Sequence, residues 1–293
     1  MQTLNEQYKQ TNRSMNKETY NDFSQISIRL FIVPLVILGI VIVWLGAKNA
    51  INDIGYVEIQ REAFFAINGF LSRFRGLEYN LTQMGDAVIF LSILSCSFMK
   101  FPKMWEALIV SSILSGLVSQ MFKRLLTVPR PAECFGEDSF SIIGSAIHGF
   151  HSTPSGHSIT IFTTLTVLFF AFMPQKNKRK ILWTVLFIVV GLFIASSRVG
   201  VGAHHPLDVV LGSIFGYISG LLGIFFIRRF PRAFGWIRNK KALPFFALVF
   251  IGFAISIALR VIKEPLIVYI FSLISLIFII YEISKAYIRS IQR

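Results

Sequence analysis

Long apolar runs separated by short polar or charged segments dominate the pattern of this chain. Several of these runs approach or exceed the roughly 18 residues that a helix needs to cross a bilayer. We predict a membrane-spanning helix in each of the following stretches: about 28–45, 85–99, 104–122, 156–173, 181–196, from 206 onward, 243–259 and 265–281. The predicted fold is an all-α membrane protein, a polytopic helical bundle with about eight spans.

A different periodicity occupies residues 57–75. Phe64, Ile67 and Leu71 recur at helical spacing, whereas the charged Arg61 falls elsewhere on the helical wheel. Such amphipathicity is typical of a helix that lies in the headgroup layer of a membrane. We therefore predict an interfacial helix in this stretch. Its favoured role is to cover the helix bundle, and its alternative role is to gate the entry of lipid.

The composition is that of a membrane protein, and the high positive charge is best explained by membrane topology. Hydrophobic residues make up 54% of the 293 residues, and only 15% are charged, against about a quarter in soluble domains. The net charge of +14 could indicate nucleic acid, but most of the 29 Lys and Arg lie in alternate loops and tails. This is the positive-inside pattern. We therefore predict a multi-pass protein of the cell membrane, with both termini cytoplasmic, membrane lipids around it and no nucleic-acid partner.

The stretch from Ser197 to Asp208 holds the most informative polar residues. His204 precedes Asp208 by about one helical turn, so the carboxylate can hold one ring nitrogen while the other stays free to attack. Alternatively, an aspartate at a helix start only caps that helix. We predict His204 as a nucleophile and Asp208 as the residue that orients it.

Two earlier stretches supply what a nucleophile acting on phosphorus needs. Lys123, Arg130 and Arg198 offer cations for phosphate oxygens, and prolines on both sides stiffen the backbone of Arg130. Ser155 and Gly156 stand at a predicted helix N-terminus, where free N–H groups attract an anion. The alternative for Lys123 is an ordinary snorkelling residue at a helix end.

His157 directly follows this helix start, and we predict that it lies across the site from the nucleophile. It would protonate the departing oxygen and later activate water. No cluster of carboxylates or thiolates suggests a metal site, and the pair Cys96 and Cys134 makes neither a disulfide framework nor a metal site. We therefore expect chemistry without a metal or cofactor. The histidines expected to have no catalytic role are His148, His151 and His205.

The predicted topology brings these residues together independently of their spacing. With the N-terminus inside, the ends of the third and fifth spans and the starts of the fourth and sixth spans all lie outside. Those four ends carry every residue predicted for the site. A chance match of motifs has no reason to place them on one face, so we predict an extracytoplasmic site.

Three motifs in this order resemble the signature of the type 2 phosphatidic acid phosphatase superfamily. They are Lys123, six residues and Arg130-Pro131; Pro154-Ser155-Gly156-His157; and Ser197-Arg198, five residues, His204, three residues and Asp208. The resemblance covers roughly residues 60–228. It includes the stretch 81–86, which is similar to a segment found in bacterial members.

The resemblance implies a core of six helices, transient phosphorylation of His204, and phospholipid, isoprenoid or lipid A phosphates as substrates. On that basis we divide the chain into a cytoplasmic tail (1–27), a six-span lipid phosphatase core (28–228), and two additional spans with a basic tail (229–293). These additional spans depart from the family pattern. A second departure is Thr153, which stands where many members carry phenylalanine.

The preferred function is therefore a membrane lipid phosphatase that hydrolyses phosphomonoesters or pyrophosphates through a phosphohistidine. A lipid phosphotransferase would use the same site to pass phosphate to a lipid hydroxyl, and analysis of the products separates the two. A lipid transporter or flippase belongs to a different class. Charges along a path through the mid-membrane would favour it, whereas here the charges cluster at one face. The sequence leaves the oligomeric state and the identity of the lipid open.

Overall fold

The computed structural model describes residue 23 and residues 26–291. Most of the predicted cytoplasmic tail and the last two residues of the basic tail lie outside these ranges. The described residues form helices joined by turns and loops, and none of them forms a strand. The α-helices are α1 (Ile32–Ala47), α2 (Asp53–Glu58), α3 (Arg61–Leu71), α4 (Arg75–Gln83), α5 (Ala87–Leu94), α6 (Pro102–Leu125), α7 (Pro131–Phe135), α8 (Gly156–Ala171), α9 (Asn177–Gly200), α10 (Pro206–Arg229), α11 (Pro231–Phe234), α12 (Leu243–Lys263) and α13 (Ile267–Ile291).

Six of the described helices are long and apolar enough to cross a membrane. They are Ile28–Ala47, which adds a 3-10 turn to α1, and α6, α9, α10, α12 and α13. The second and fourth predicted spans form the shorter apolar helices Ala87–Ser97 and Gly156–Ala171. The all-α, multi-pass architecture is thus confirmed, whereas the predicted number of eight spans is not.

The interfacial helix predicted near 57–75 is shorter than expected. Helices α2 and α3 are separate, and α3 ends at Leu71. The break falls at the buried Gln60, whose Nε2 donates to the carbonyl oxygen of Tyr56 at 2.8 Å. Its Oε1 accepts the N–H of Leu207, also at 2.8 Å. The chain is interrupted here because Gln60 binds the first turn of α10.

A stripe of glycines on α10 lies against α8. A Cβ atom on Gly212 would lie 2.6 Å from the carbonyl oxygen of Ser155, and one on Gly216 would lie 2.5 Å from that of Ile159. The Thr163 hydroxyl donates to the carbonyl oxygen of Gly216 at 3.1 Å. Only hydrogen fits at these two positions, so the two backbones are in contact. Consequently α8 and α10 begin side by side.

Helices α12 and α13 form a hairpin that packs against α5. The rings of Phe98 and Phe250 have centroids 5.4 Å apart in an edge-to-face arrangement, and the hydroxyl oxygens of Ser95 and Ser275 lie 3.0 Å apart. Leu276 is fully buried in the same hydrophobic cluster as the rest of the bundle core. The two additional spans therefore share a continuous core with the other helices.

Candidate active site

Four helix ends meet at one end of the bundle. Lys123 and Arg198 lie in the last turns of α6 and α9, and Gly156 and Asp208 lie in the first turns of α8 and α10. The N–H of Ser155 donates to the carbonyl oxygen of Asp208 at 3.0 Å. A Cβ atom on Gly156 would lie 3.5 Å from Nζ of Lys123. The residues predicted for the site from separate motifs therefore come together in space.

Asp208 is buried and accepts hydrogen bonds on both carboxylate oxygens. Its Oδ1 accepts from the hydroxyl of Tyr56 at 3.0 Å and from that of Thr153. Its Oδ2 accepts from the hydroxyl of Ser152 at 2.6 Å and from the backbone N–H of His205 at 2.9 Å. Burial and the nearby carboxylate raise the pKa of Tyr56 well above 10, so its hydroxyl remains a donor. These donors hold a buried charge in one orientation.

His204 lies between Asp208 and Arg130. Its Nδ1 is 3.3 Å from Oδ2 of Asp208, and its Nε2 is 3.3 Å from Nη1 of Arg130. The ring is 2% exposed, and burial lowers the pKa of His204 to about 3, although Asp208 acts in the opposite direction. The ring is therefore neutral at neutral pH. With its proton on Nδ1, facing the carboxylate, it keeps a lone pair on Nε2.

Arg130 is held by backbone carbonyl groups from two places: the loop that precedes α8 and the turn that precedes α10. Its N–H donates to the carbonyl oxygen of Gly149 at 2.9 Å, and its Nη1 donates to that of Ala203 at the same distance. The preceding Pro129 accepts a hydrogen bond from Nε2 of the buried His205 at 3.1 Å. The guanidinium is thus fixed next to the ring of His204 by neighbours that carry no negative charge.

The N-terminus of α8 faces the amine of Lys123. Ser155 is the N-cap, because its hydroxyl oxygen accepts the N–H of Ser158 at 3.3 Å. The other N–H groups of a first helical turn have no partner within the helix. Gly156 has no side chain to separate its N–H from the amine. A cation and a helix N-terminus directed at one space suit an anion.

Arg198 and His157 are held by a segment that lies outside the three motifs. Arg198 is 5% exposed, and its Nη1 donates to the hydroxyl of Thr82 at 2.6 Å. Its buried Nε has no hydrogen-bond partner among the described residues. A Cβ atom on Gly85 would lie 2.4 Å from Cβ and 2.5 Å from Cδ2 of His157. Gly85 is therefore what leaves room for the imidazole, which lies within electrostatic range of Arg198 and His204.

The remaining histidines and Arg124 lie apart from this arrangement. Arg124 is exposed at the end of α6, as a snorkelling residue would be. His148 is exposed, and its Nε2 lies 2.7 Å from Oε1 of Glu137. His151 is exposed in the same loop.

Five residues that contact the site were missed by the sequence analysis: Tyr56, Thr82, Gly85, Ser152 and Thr153. Ser152 and Thr153 directly precede the second motif, so their position was a usable signal. Thr153 stood out only as a departure from the family, and here its hydroxyl binds Asp208. Tyr56 lies 152 positions before Asp208, and no spacing in the sequence connects the two.

Residues 105–232 match the family model described as the PAP2 superfamily. Over this segment the chain is similar to the PAP2 superfamily. It is 32% identical over 143 residues to a lipid A 1-phosphatase of Rhizobium etli, an alignment of 47% of this chain and 58% of that protein. It is 25% identical over 198 residues to an undecaprenyl-diphosphatase of Sulfolobus acidocaldarius, covering 67% of this chain and 88% of that protein.

Among solved structures, that of LpxE from Aquifex aeolicus superimposes with a TM-score of 0.47 and 24% identity, over 57% of this chain and 95% of that chain. The chain spans about half of the length of the two Rhizobium lipid A 1-phosphatases that it matches. The PAP2 segment contains all three motifs, whereas Tyr56, Thr82 and Gly85 precede it.

Proposed function

We propose that the protein is a membrane lipid phosphatase. One observation carries the proposal: a buried, neutral His204 has a carboxylate at Nδ1 and a guanidinium at Nε2. An imidazole oriented in this way can attack an electrophile that is bound next to Arg130. A phosphorus atom whose oxygens are held by cations is the electrophile that fits such surroundings. The match of residues 105–232 to the PAP2 superfamily supports the same chemistry.

In the first half of the proposed reaction, Nε2 of His204 forms a bond to phosphorus while the bond from phosphorus to the lipid oxygen breaks. His157 gives its proton to that departing oxygen, so that the lipid leaves as an alcohol or as a monophosphate. Asp208 stabilises the positive charge that develops on the phosphorylated imidazole.

In the second half, the neutral His157 accepts a proton from water as the water oxygen bonds to phosphorus. The bond between phosphorus and Nε2 of His204 breaks, and inorganic phosphate leaves. Both histidines then have the protonation states with which they started.

The phosphate-binding groups have a common role in both halves, since charge on the phosphoryl oxygens must be neutralised in each transition state. We assign this role to Lys123, Arg130, Ser155, Gly156 and Arg198. The unpartnered Nε of Arg198 supplies a donor that a phosphate oxygen would satisfy. The N-terminus of α8 contributes its free N–H groups.

The proposed substrates are membrane lipids with a terminal phosphate or pyrophosphate: phospholipid, isoprenoid or lipid A phosphates. The relatives support this class, because one is named a lipid A 1-phosphatase and another an undecaprenyl-diphosphatase. We further propose that residues 28–228 form the catalytic core in the cell membrane and that the site opens on the extracytoplasmic face. The distribution of basic residues supports this orientation.

A panel assay tests the proposal. Detergent-purified protein should release inorganic phosphate from at least one of phosphatidic acid, an isoprenoid diphosphate and lipid A. His204→Ala should lower that rate by roughly 10³-fold or more, because no other group is placed to attack phosphorus. The matched control is His148→Ala, which removes an exposed histidine and should keep the wild-type rate. Phosphate release that survives His204→Ala would refute the assigned nucleophile.

The same assay separates the phosphatase from a phosphotransferase. In the presence of a lipid alcohol, a phosphotransferase would form a new lipid phosphate in place of inorganic phosphate. A hydrolase would release inorganic phosphate at an unchanged rate. We expect the second outcome, because the proposed role of His157 in the second half-reaction is to activate water.

A further inference from the structure

Residues 78–86, which comprise most of α4 and the turn after it, lie between the active site and the α12–α13 hairpin. Toward the site, Thr82 accepts a hydrogen bond from Arg198, and Gly85 contacts the ring of His157. We call this stretch the 78–86 segment. This segment contacts both the active site and the hairpin.

The side of the segment that faces away from the site carries four contacts to the hairpin. Nη1 of Arg260 donates to Oδ2 of Asp86 at 2.8 Å, and the Tyr269 hydroxyl donates to Oε1 of Gln83 at 3.0 Å. The other two contacts are the backbone N–H of Val268 donating to Oδ1 of Asn80 at 3.1 Å, and the hydroxyl of Tyr79 donating to Oε2 of Glu264.

The two sets of contacts come from neighbouring residues. Thr82 and Gly85 contact the site, whereas Gln83 and Asp86, each one position later, bind the hairpin. Thr82 and Gln83 lie in the last turn of α4, and Gly85 and Asp86 lie in the turn after it. A shift of each hairpin-facing residue therefore also moves its site-facing neighbour through the peptide bond that joins them. Asp86 also caps α5, because its Oδ1 accepts the N–H of Val88 at 2.8 Å.

We propose that the α12–α13 hairpin is a positioning element of the active site: by fixing the 78–86 segment, it holds Arg198 and His157 where phosphoryl transfer needs them. This inference rests on the proposed function and assigns a role to the two additional spans. The contacting residues of the hairpin touch neither substrate nor reacting atoms. Their effect is transmitted through Thr82 and Gly85.

The double variant Arg260→Gln/Tyr269→Phe tests the proposal, because it removes two hydrogen bonds from the hairpin and leaves its apolar packing intact. Displacement of His157 should lower kcat on a lipid phosphate by about tenfold, but only about twofold on nitrophenyl phosphate, whose leaving group departs without protonation. Displacement of Arg198 should weaken inhibition by vanadate about fivefold. The single variant Arg260→Lys should keep both rates and the inhibition by vanadate close to the wild-type values, since it keeps a cation next to Asp86.

The matched control is Lys263→Gln, which removes an exposed cation one turn away on the same helix. It should change neither the ratio of the two rates nor the vanadate constant. A double variant with a lowered Tm but with the wild-type ratio and vanadate constant would overturn the proposal, because the hairpin would then stabilise without positioning. If the double variant does not fold, Tyr269→Phe alone gives the same comparison with a change of one hydroxyl.

The failure of this inference is distinct from the failure of the proposed function. If the wild-type protein releases no phosphate from any lipid, the proposed function is wrong. Binding of vanadate to the wild-type protein and to the double variant, measured by calorimetry, would still report the position of Arg198. Equal dissociation constants would then refute the role of the hairpin.

Discussion

At the scale of single residues, the site gathers positive charge around the imidazole rings of His157 and His204. Lys123, Arg130 and Arg198 all lie within electrostatic range of His157, and Asp208, next to His204, offsets one of the three charges. Cations brought close together in a buried place repel one another. A phosphate dianion relieves that repulsion, and its charge is further dispersed in the transition state. The arrangement of these charges is therefore suited to an anion before any lipid is considered.

The proposed role of His157 as an acid gives a prediction at this scale. His157→Ala should lower kcat on a lipid phosphate by roughly 10²-fold or more, because the lipid alkoxide is a poor leaving group without a proton. On nitrophenyl phosphate the loss should be several times smaller. Steady-state rates on both substrates, each compared with His148→Ala, check this. Equal losses on both substrates would remove His157 from the role of acid.

The low pKa of His204 gives a second prediction. Because burial lowers this pKa to about 3, the nucleophile of the free enzyme stays neutral at pH values well below the ordinary histidine pKa of 6.5. Values of kcat/KM on nitrophenyl phosphate, corrected for the second ionisation of the substrate near a pKa of about 6, should show no acid limb from His204 between about pH 7 and about pH 5. A limb centred near 6.5 would mean that the free enzyme protonates this ring.

At the scale of helices, local signals and long-range contacts account for different parts of the structure. The starts of α8 and α10 could be predicted, because the cap Ser155 and the first-turn residue Pro206 act within one turn. The pairing of His204 with Asp208 follows from their spacing in the same way. The break at Gln60 could not be predicted, because its partner Leu207 is brought near only by folding. The same is true of Tyr56 and the carboxylate that it binds.

The glycine stripe of α10 gives a prediction at this scale. Gly216→Ala should destabilise the protein by about 1–3 kcal/mol, because the new methyl group would lie 2.5 Å from a carbonyl oxygen of α8. It should also lower activity, since α8 and α10 carry His157 and Asp208. The matched control is Gly252→Ala in α12, where a Cβ atom meets nothing within 4 Å. Thermal unfolding of both variants in the same detergent checks this, and equal Tm values would contradict close packing.

At the scale of the whole molecule, residues that come before and after the three motifs in the sequence both contribute contacts at the site. Tyr56, near the start of the described residues, binds Asp208, and the hairpin of α12 and α13 binds the segment that contacts His157. Hydropathy predicted the helices of the bundle, whereas the orientation indicated by the charges stays a prediction. Neither could predict that the additional spans contact side chains of the 78–86 segment next to the site, because those contacts join residues at least 174 positions apart.

The orientation of the molecule gives the last prediction. In a variant without Cys96 and Cys134, Ser145→Cys should react with a membrane-impermeant maleimide added to intact cells, because the 132–153 loop is expected outside. Lys178→Cys, in the basic first turn of α9, should react only after the cells are opened. Both positions are exposed, so accessibility from one side is the only difference tested. The reverse labelling pattern would place the site in the cytoplasm.

The hydrogen bond from Tyr56 to Asp208 means that residues 105–232, which carry the three motifs, do not form the site alone. A chimera that transplants residues 105–232 into another scaffold would carry both histidines and all three cations. It would lack the phenol that binds the carboxylate, the threonine that accepts from Arg198, and the glycine that makes room for His157. The transplanted segment would thus keep the proposed reacting groups but lose the contacts that orient them. A working transplant of this site has to bring Tyr56 and the 78–86 segment with it.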